Sequence, residues 1–170
     1  FEFQGKSLFA RAGVPVPAGK VARTPEEARS AAAELGGVVV VKAQVQVGGR
    51  GKAGGIKVAK DPEGAFTRAS KILGMDIKGH TVRLVWVEQA SEIAAEYYVS
   101  FTLDRAARKH LAMVSARGGM DIEAVARETP DALARMHIDP VIGLTAWQAS
   151  ELVYRAGLDR TTARKSAAML

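Results

Sequence analysis

The chain has 170 residues, 48% of them hydrophobic and 25% charged, which is the composition of one globular domain or two small subdomains. It contains no cysteine, which excludes disulfide bonds, cysteine-ligated metals and cysteine nucleophiles. The formal net charge is +6, and the excess lies in residues 1–60, which hold 10 Lys and Arg but only 4 Asp and Glu. A local excess of this kind fits a small polyphosphate ligand better than nucleic acid, which requires a continuous basic stripe.

The first half of the chain alternates predicted helices and strands. Residues 4–12 predict a short helix that ends at Gly13, before a linker with two prolines. Residues 24–35 open with a capping threonine, a proline and two glutamates, which predict a second helix. The β-branched run at residues 38–43 lacks alternation, so it predicts a strand that is buried on both faces.

A glycine-rich segment at residues 47–55 follows this strand. It leads into residues 56–58, where apolar and polar side chains alternate as they do in a strand. Residues 61–73 open with aspartate and proline and predict a third helix, and residues 82–87 predict the next strand. The local order is therefore strand, glycine loop and strand, followed by a helix.

The pattern changes near residue 90. From Glu96 onward, side chains alternate with a period of two, which predicts a strand with one apolar face. Residues 104–108 predict the polar turn of a hairpin, and residues 111–115 predict the returning strand. Helical segments are then predicted at residues 121–127, 130–135 and 145–156.

The glycine-rich segment carries the clearest chemical signal. Residues 49–54 match the glycine pattern of a dinucleotide-binding fold, but a strand follows them where that fold needs a helix. A P-loop is also excluded, because Gln46 replaces its first glycine and Ala53 replaces its hydroxyl residue. The favoured interpretation is a flap whose backbone N–H groups close over phosphate oxygens, while Arg50 and Lys52 add charge. A plain hairpin turn with solvated cations is the alternative.

Charged residues also occur at the ends of two predicted strands. Lys42 ends an apolar strand, where a lysine pairs with a carboxylate, faces a ligand anion or extends into solvent. Glu88 follows a strand and precedes Glu92 and Glu96, and such carboxylates accept ribose hydroxyls or form a solvated acidic edge. The three histidines lack metal-ligand spacing and are predicted to be structural or exposed: His80, His110 and His137.

Several segments resemble the β subunit of bacterial succinyl-CoA synthetase in sequence, order and spacing. They include EFQGK at residues 2–6, VVKAQV at residues 40–45, GGRGKAGG at residues 48–55 and SARGGMDIE at residues 115–123. The resemblance extends over nearly the whole chain. One departure is Arg117, which stands where this family commonly has glutamate.

The resemblance implies an ATP-grasp fold, an α+β architecture in which two subdomains hold a nucleotide between them. By motif match, Lys42 and the segment Gly49-Arg50-Gly51 contact the phosphates of the nucleotide. Glu88 and Ser91 lie beside the adenine, and Glu96 serves the ribose. Residues 17–92 form the subdomain with the flap, whereas residues 1–16 and 93–170 form the second subdomain, which is incomplete.

The resemblance also implies a reaction and a partner. The family couples ATP or ADP, succinate and coenzyme A to succinyl-CoA through a phosphohistidine on an α subunit, with which the β subunit forms a heteromer. The family's Mg²⁺ ligands and its CoA-ligase-like domain lie beyond residue 170. No catalytic or metal-binding residue is therefore expected within the chain, which is interpreted as a fragment that is inactive alone.

Two alternatives to this function remain at the level of sequence. One is the β subunit of a related ADP-forming acid–CoA ligase that acts on malate or acetate. The other is a non-catalytic basic module that binds nucleic acid through residues 48–55. No membrane segment is expected, since the longest apolar runs, such as residues 38–41, have four residues. With no signal-peptide core near the amino terminus, a cytoplasmic location is expected.

Overall fold

A computed structural model describes all residues, 1–170, and divides into two compact units, Phe1–Glu92 and Ile93–Leu170. The predicted change near residue 90 therefore coincides with a boundary between units. None of the helices combines the length and apolar character needed to cross a membrane.

The first unit packs two of its helices against the core face of an antiparallel sheet. Side-chain caps begin two of the helices as predicted: the hydroxyl of Thr24 accepts a hydrogen bond from the Glu27 N–H at 3.2 Å, and Asp61 accepts one from the Gly64 N–H at 2.6 Å. The elements are α1 (Glu2–Arg11), β1 (Gly19–Ala22), α2 (Pro25–Leu35), β2 (Val39–Ala43), β3 (Ile56–Ala59), α3 (Pro62–Ile72), β4 (Asp76–Ile77), β5 (His80–Thr81) and β6 (Val85–Gln89).

The main sheet of this unit has the strand order β1-β6-β2-β3, and all its pairs are antiparallel. Small side chains of α2 and α3 share a core with the buried side chains Val39 and Val41 of β2. The prediction that this strand is buried on both faces is wrong, because Val40 and Lys42 on the opposite face are partly exposed. The face opposite the core is the face on which charged groups collect.

Helix α1 belongs to the first unit in the contact-based division of the chain. Its residues Glu2 and Lys6 form ion pairs with Lys42 and Glu88 of the sheet. The sequence-based assignment of residues 1–16 to the second subdomain differs from this division, and these ion pairs are the physical reason.

The second unit consists of a three-stranded antiparallel sheet, ordered β7-β8-β9, with two helices that share its core. The predicted hairpin is present, and Tyr98 pairs with Ser115. Residues 130–135 were expected to be helical, but only a 3₁₀ turn forms before the chain enters β9. Pairing with β8, in which Met136 lies opposite Ala112, overrides the local helical preference. The elements are β7 (Tyr98–Asp104), β8 (Lys109–Ser115), α4 (Ile122–Glu128), β9 (Ala134–Ile138), α5 (Ala146–Arg155) and α6 (Arg160–Met169).

Candidate functional site

Five charged side chains form one connected group in the first unit, which we call the ion cluster: Glu2, Lys6, Lys42, Arg50 and Glu88. The Lys42 Nζ lies 2.7 Å from Glu88 Oε1 and 3.2 Å from Glu2 Oε1. Arg50 Nη1 lies 2.7 Å from Glu2 Oε2. Lys6 contacts Glu88 Oε2 and approaches Glu2 Oε1 to 3.3 Å. With three cations and two carboxylates, the cluster has one surplus positive charge.

The backbone places these groups together from four parts of the chain. In the sheet, Lys42 of β2 lies opposite Trp86 of β6, so that Glu88 follows two residues later on the same face of β6. Glu2 and Lys6 are four residues apart on α1 and therefore lie on one side of that helix. The glycine-rich loop adds Arg50, whose guanidinium also donates a hydrogen bond to the Ala43 carbonyl at 3.0 Å.

Trp86 connects the sheet side of the cluster to α1. Its indole N–H donates a hydrogen bond to Glu88 Oε2 at 2.8 Å, and its ring stacks on Phe3 with a centroid distance of 6.1 Å. Gly19 on the neighbouring strand makes room for this ring, because a Cβ there would lie 2.3 Å from it. The Phe3 N–H also donates a hydrogen bond to the buried Gln44 side chain at 3.3 Å. The start of α1 is thus held on the sheet by aromatic, polar and ionic contacts.

The ion pairs favour the charged forms of Glu2, Glu88 and Lys42. Burial raises the pKa of the Glu2 carboxyl, but the charges of Lys42 and Arg50 outweigh it, and the pKa falls from 4.5 to about 2. Burial also raises the pKa of Glu88, but the hydrogen bonds that this carboxylate accepts from two lysines and Trp86 lower its pKa overall. Burial lowers the pKa of the Lys42 ammonium, yet its two carboxylate partners raise it overall.

A cleft of about 500 Å³ opens between Glu2 and the glycine-rich loop. Arg50 and Lys52 line it, and Glu2 is its only acidic residue. A further cation lies close by, because a Cβ on Gly49 would come within 3.4 Å of the Lys78 ammonium. The cleft therefore presents mostly positive charge to a ligand. Its lining is Glu2, Val45, Gln46, Val47, Gly48, Gly49, Arg50, Gly51, Lys52 and Ile56.

The loop offers backbone donors as well as cations. Its last N–H groups are used internally: Ala53, Gly54 and Gly55 donate to carbonyls of the same loop at 3.1, 3.0 and 2.8 Å. The N–H groups of residues 48–52 donate to no acceptor within the chain. Gly49 has a φ of +87°, a backbone conformation that residues other than glycine rarely adopt. A run of unused N–H groups beside surplus cations is suited to binding the oxygens of an anion.

The structure brings three of the predicted site residues into direct or near-direct contact. Lys42 and Arg50 share the carboxylate of Glu2, and Glu88 is the second partner of Lys42. Lys42 is therefore paired with carboxylates and does not simply extend into solvent. Glu88 is only 5% exposed, so it is not part of a solvated acidic edge. Gly49 and Gly51 line the same cleft as Arg50.

The other two predicted residues lie outside the cluster. Ser91 is exposed in the coil that follows β6. Glu96 belongs to the second unit, where its carbonyl accepts a hydrogen bond from the Gly118 N–H at 2.9 Å. A Cβ on Gly119 would lie 2.1 Å from the Glu96 carboxylate, so this glycine makes space for that side chain.

Sequence reasoning did not single out the N-terminal partners of the cluster. Glu2 and Lys6 were noted only as part of a family motif, although their spacing of four residues is the signal of a shared helix face. No group of three or more His, Asp or Glu side chains in the chain could hold a metal ion.

Known proteins resemble the chain in both sequence and structure. The model of the ATP-grasp domain family matches residues 1–170. The chain is 52% identical over 164 residues to the beta subunit of the ADP-forming succinate–CoA ligase of Rubrobacter xylanophilus. This alignment covers 96% of the chain but 43% of the relative, so the chain spans less than half of the length of that protein.

Solved structures share the fold at low sequence identity. The dinucleotide-forming acetyl-coenzyme A synthetase 1 of Ca. Korarchaeum cryptofilum, solved with coenzyme A and Ca-AMPCP, matches 88% of the chain and 62% of its own, with a TM-score of 0.71 and 20% identity. The ATP citrate lyase of Methanothrix soehngenii, solved with citrate and coenzyme A, matches 78% of the chain and 30% of its own, with a TM-score of 0.55 and 21% identity.

Proposed function

Because the chain belongs to the ATP-grasp domain family, we propose that the cleft beside the ion cluster binds the phosphates of ATP or ADP. The observation that carries this proposal is the surplus positive charge of the cluster beside five unused N–H groups of the loop. A polyphosphate accepts those hydrogen bonds and also neutralises that charge, which an uncharged ligand cannot neutralise.

Each part of the site has a physical role in this proposal. Lys42 and Arg50 donate charged hydrogen bonds to phosphate oxygens, and Glu88 holds Lys42 from the sheet side. Gly49 and Gly51 let the loop backbone approach the phosphates without an intervening Cβ. The roles of Ser91 beside the adenine and Glu96 at the ribose rest on the family resemblance. The division into a first subdomain, residues 17–92, and a second one, residues 1–16 and 93–170, that together hold the nucleotide also rests on the family resemblance.

We further infer that the chain is the nucleotide-binding part of a succinate–CoA ligase β subunit. The 52% identity over 164 residues to such a subunit supports succinate over malate or acetate as the acid. The whole reaction then uses ATP, Mg²⁺, succinate and coenzyme A, and a phosphohistidine of an α subunit carries the phosphoryl group. By the family resemblance, the Mg²⁺ ligands and the coenzyme A site belong to parts of the enzyme outside these residues. A cytoplasmic location is part of the same proposal.

A thermal melt of the purified chain tests nucleotide binding directly. MgATP at about 100 times its dissociation constant adds about 2.7 kcal/mol of stability. For a chain of this size, that raises the midpoint by about 5 to 10 °C. A short DNA duplex at 150 mM salt, as control ligand, is expected to leave the midpoint unchanged, since phosphate-backbone binding weakens steeply with salt. A midpoint that MgATP does not move would contradict the proposal.

The ligase proposal has its own test. The purified chain alone is expected to show no ATP turnover that depends on succinate and coenzyme A, because the phosphohistidine is supplied by another subunit. Such turnover by the chain alone would contradict this division of labour, even if MgATP binding were confirmed.

A further inference from the structure

We propose that Glu2 is an exchangeable counter-anion of the phosphate site, whose carboxylate occupies Lys42 and Arg50 in the empty state and is displaced by phosphate oxygens. The proposal rests on the proposed nucleotide-binding function and adds a residue to it. It makes the start of α1 a determinant of nucleotide affinity.

The geometry of Glu2 is that of a bridging anion. One carboxylate oxygen lies 3.2 Å from Lys42 Nζ, and the other lies 2.7 Å from Arg50 Nη1. The Lys42 contact is a hydrogen bond and the Arg50 contact is an ion pair, and a phosphate group can contact both cations with its oxygens in a similar bridging arrangement. Glu2 also lines the cleft itself, where it is the only acidic residue. Arg50 lines the cleft together with Glu2 but Lys42 does not, so a phosphate in the cleft that contacts both cations has to take the place of the Glu2 carboxylate.

The two carboxylates of the ion cluster are not equivalent. Glu88 is 6% exposed in its side chain, accepts a hydrogen bond from Trp86 and sits within the sheet. Glu2 is 19% exposed and lies at the first residue of a helix, on the cleft side. Displacing the Glu88 carboxylate would break the three hydrogen bonds that it accepts from Lys6, Lys42 and Trp86. The Glu2 carboxylate accepts only one, from Lys42, and it can move by a side-chain rotation or a shift of a helix end. Glu88 is thus the permanent partner of Lys42, and Glu2 is the exchangeable one.

The charge balance changes in the direction that a polyphosphate needs. With Glu2 in place, the cluster holds three cations and two carboxylates. When Glu2 leaves, Lys6, Lys42 and Arg50 face Glu88 alone, and the surplus positive charge doubles from one to two. Glu2 therefore stabilises the empty site by neutralising charge, and it opposes ligand binding for the same reason.

The test compares Glu2→Gln with Glu63→Gln by calorimetric titration of each purified chain with MgATP and, separately, with adenosine. Glu2→Gln keeps the shape of the side chain but removes its charge. Glu63→Gln removes a carboxylate that pairs with Arg29 on the surface, and it serves as the matched control. We expect Glu2→Gln to bind MgATP about tenfold more tightly than the unaltered chain, equivalent to about 1.4 kcal/mol. Adenosine affinity of Glu2→Gln, and both affinities of Glu63→Gln, are expected to stay unchanged.

The remaining outcomes separate the two proposals. Weaker or unchanged MgATP binding by Glu2→Gln would overturn the role of Glu2, since the carboxylate would then be orienting the cations or irrelevant to them. An equal gain for adenosine would also overturn it, because adenosine has no phosphate to compete with a carboxylate. If the unaltered chain, Glu2→Gln and Glu63→Gln all fail to bind MgATP while their thermal melts are cooperative, the nucleotide-binding function itself fails. Should Glu2→Gln not fold, Glu2→Asp is tested instead, because it keeps the charge on a shorter side chain. We expect Glu2→Asp to bind MgATP more tightly than the unaltered chain, but by less than about tenfold.

Discussion

Two sets of ionisable side chains, one in each unit, differ in burial and in connectivity. In the first unit, Lys42 and Glu88 are 17% and 6% exposed and belong to a cluster of five charged groups. In the second unit, His137 Nε2 lies 2.8 Å from Asp104 Oδ2, but these side chains are 45% and 28% exposed and pair only with each other. Distances alone would rank the two contacts as equal.

The difference teaches that environment, and not distance, distinguishes a site from a surface contact. The ion cluster lies beside a cleft with a surplus of charge and unused backbone donors. The Asp104 carboxylate instead accepts hydrogen bonds from the backbone of its own turn, at Ala106 and Ala107, as a turn-forming aspartate does. We therefore expect substitutions in the cluster to change both stability and nucleotide affinity. Substitutions in the exposed pair are expected to leave nucleotide affinity unchanged.

The largest effect is expected for Lys42→Ala. It removes one of the two lysines that Glu2 and Glu88 share, so that Lys6 alone pairs with both carboxylates in a mostly buried place, which costs about 3 kcal/mol of unfolding free energy. It also removes a charged phosphate donor, so the affinity for MgATP is expected to fall by about a hundredfold. Urea unfolding and calorimetric titration measure the two quantities.

The control for this variant is Lys20→Ala. Lys20 forms an ion pair with Glu34, but these side chains are 48% and 60% exposed. Its loss is expected to lower the unfolding free energy by about 0 to 1 kcal/mol and to leave MgATP affinity unchanged. Equal losses of stability in both variants would contradict the argument from burial.

The acid dependence of stability is the next largest effect. The pKa of Glu2 in the folded chain is about 2, below its ordinary value of 4.5, and that of Glu88 is also lowered. Their contribution is therefore complete above about pH 5 and is lost as the pH falls through 4.5 towards 2. For Glu2 the pKa difference corresponds to about 3 kcal/mol. Urea unfolding between pH 2.5 and 6 is expected to show a shallower acid limb in Glu2→Gln, and an unchanged limb would contradict the role of this ion pair.

A smaller and more selective effect is expected for Gly51→Val. In the empty chain, a Cβ at this position would meet only Ile56 Cδ1 at 3.8 Å, which is an ordinary contact. The unfolding free energy is therefore expected to change by less than about 0.5 kcal/mol. The added branch would lie where the loop approaches the phosphates, so MgATP affinity should fall by at least about tenfold. Thermal melts with and without MgATP separate these effects, and unchanged affinity would remove Gly51 from the site.

Local patterns explain how much of this could be predicted from the sequence. The helix caps at Thr24 and Asp61 and the alternation of β7 depend on neighbouring residues, and the structure confirms all three elements. The family match confirms the ATP-grasp fold that the motifs around Lys42 and Arg50 implied. These features are readable because their signals extend over only a few residues.

The rest depended on contacts between distant parts of the chain. The contact of Lys6 with Glu88 joins residues 82 positions apart, and no local pattern predicts it. Strand β1, from Gly19 to Ala22, is short and was assigned no structure, although pairing with β6 fixes it. The helical turns predicted at residues 130–135 include the first two residues of β9, because the signal of that strand is its pairing with β8. The sequence indicates that a lysine such as Lys42 can pair with carboxylates. It does not indicate which carboxylates, because those come from distant parts of the chain that only the fold brings together.

The smallest effect is expected in the exposed pair of the second unit. His137→Ala removes one partner of Asp104 but leaves the two turn hydrogen bonds of that aspartate, each 3.0 Å long. The thermal midpoint is therefore expected to stay within about 2 °C of the unaltered chain. Asp104→Ala should lower it more, because the turn loses both acceptor contacts. A shift of the thermal midpoint for His137→Ala as large as that for Lys42→Ala would contradict the comparison of the two regions. An exposed contact would then stabilise the chain as much as a buried, connected cluster does.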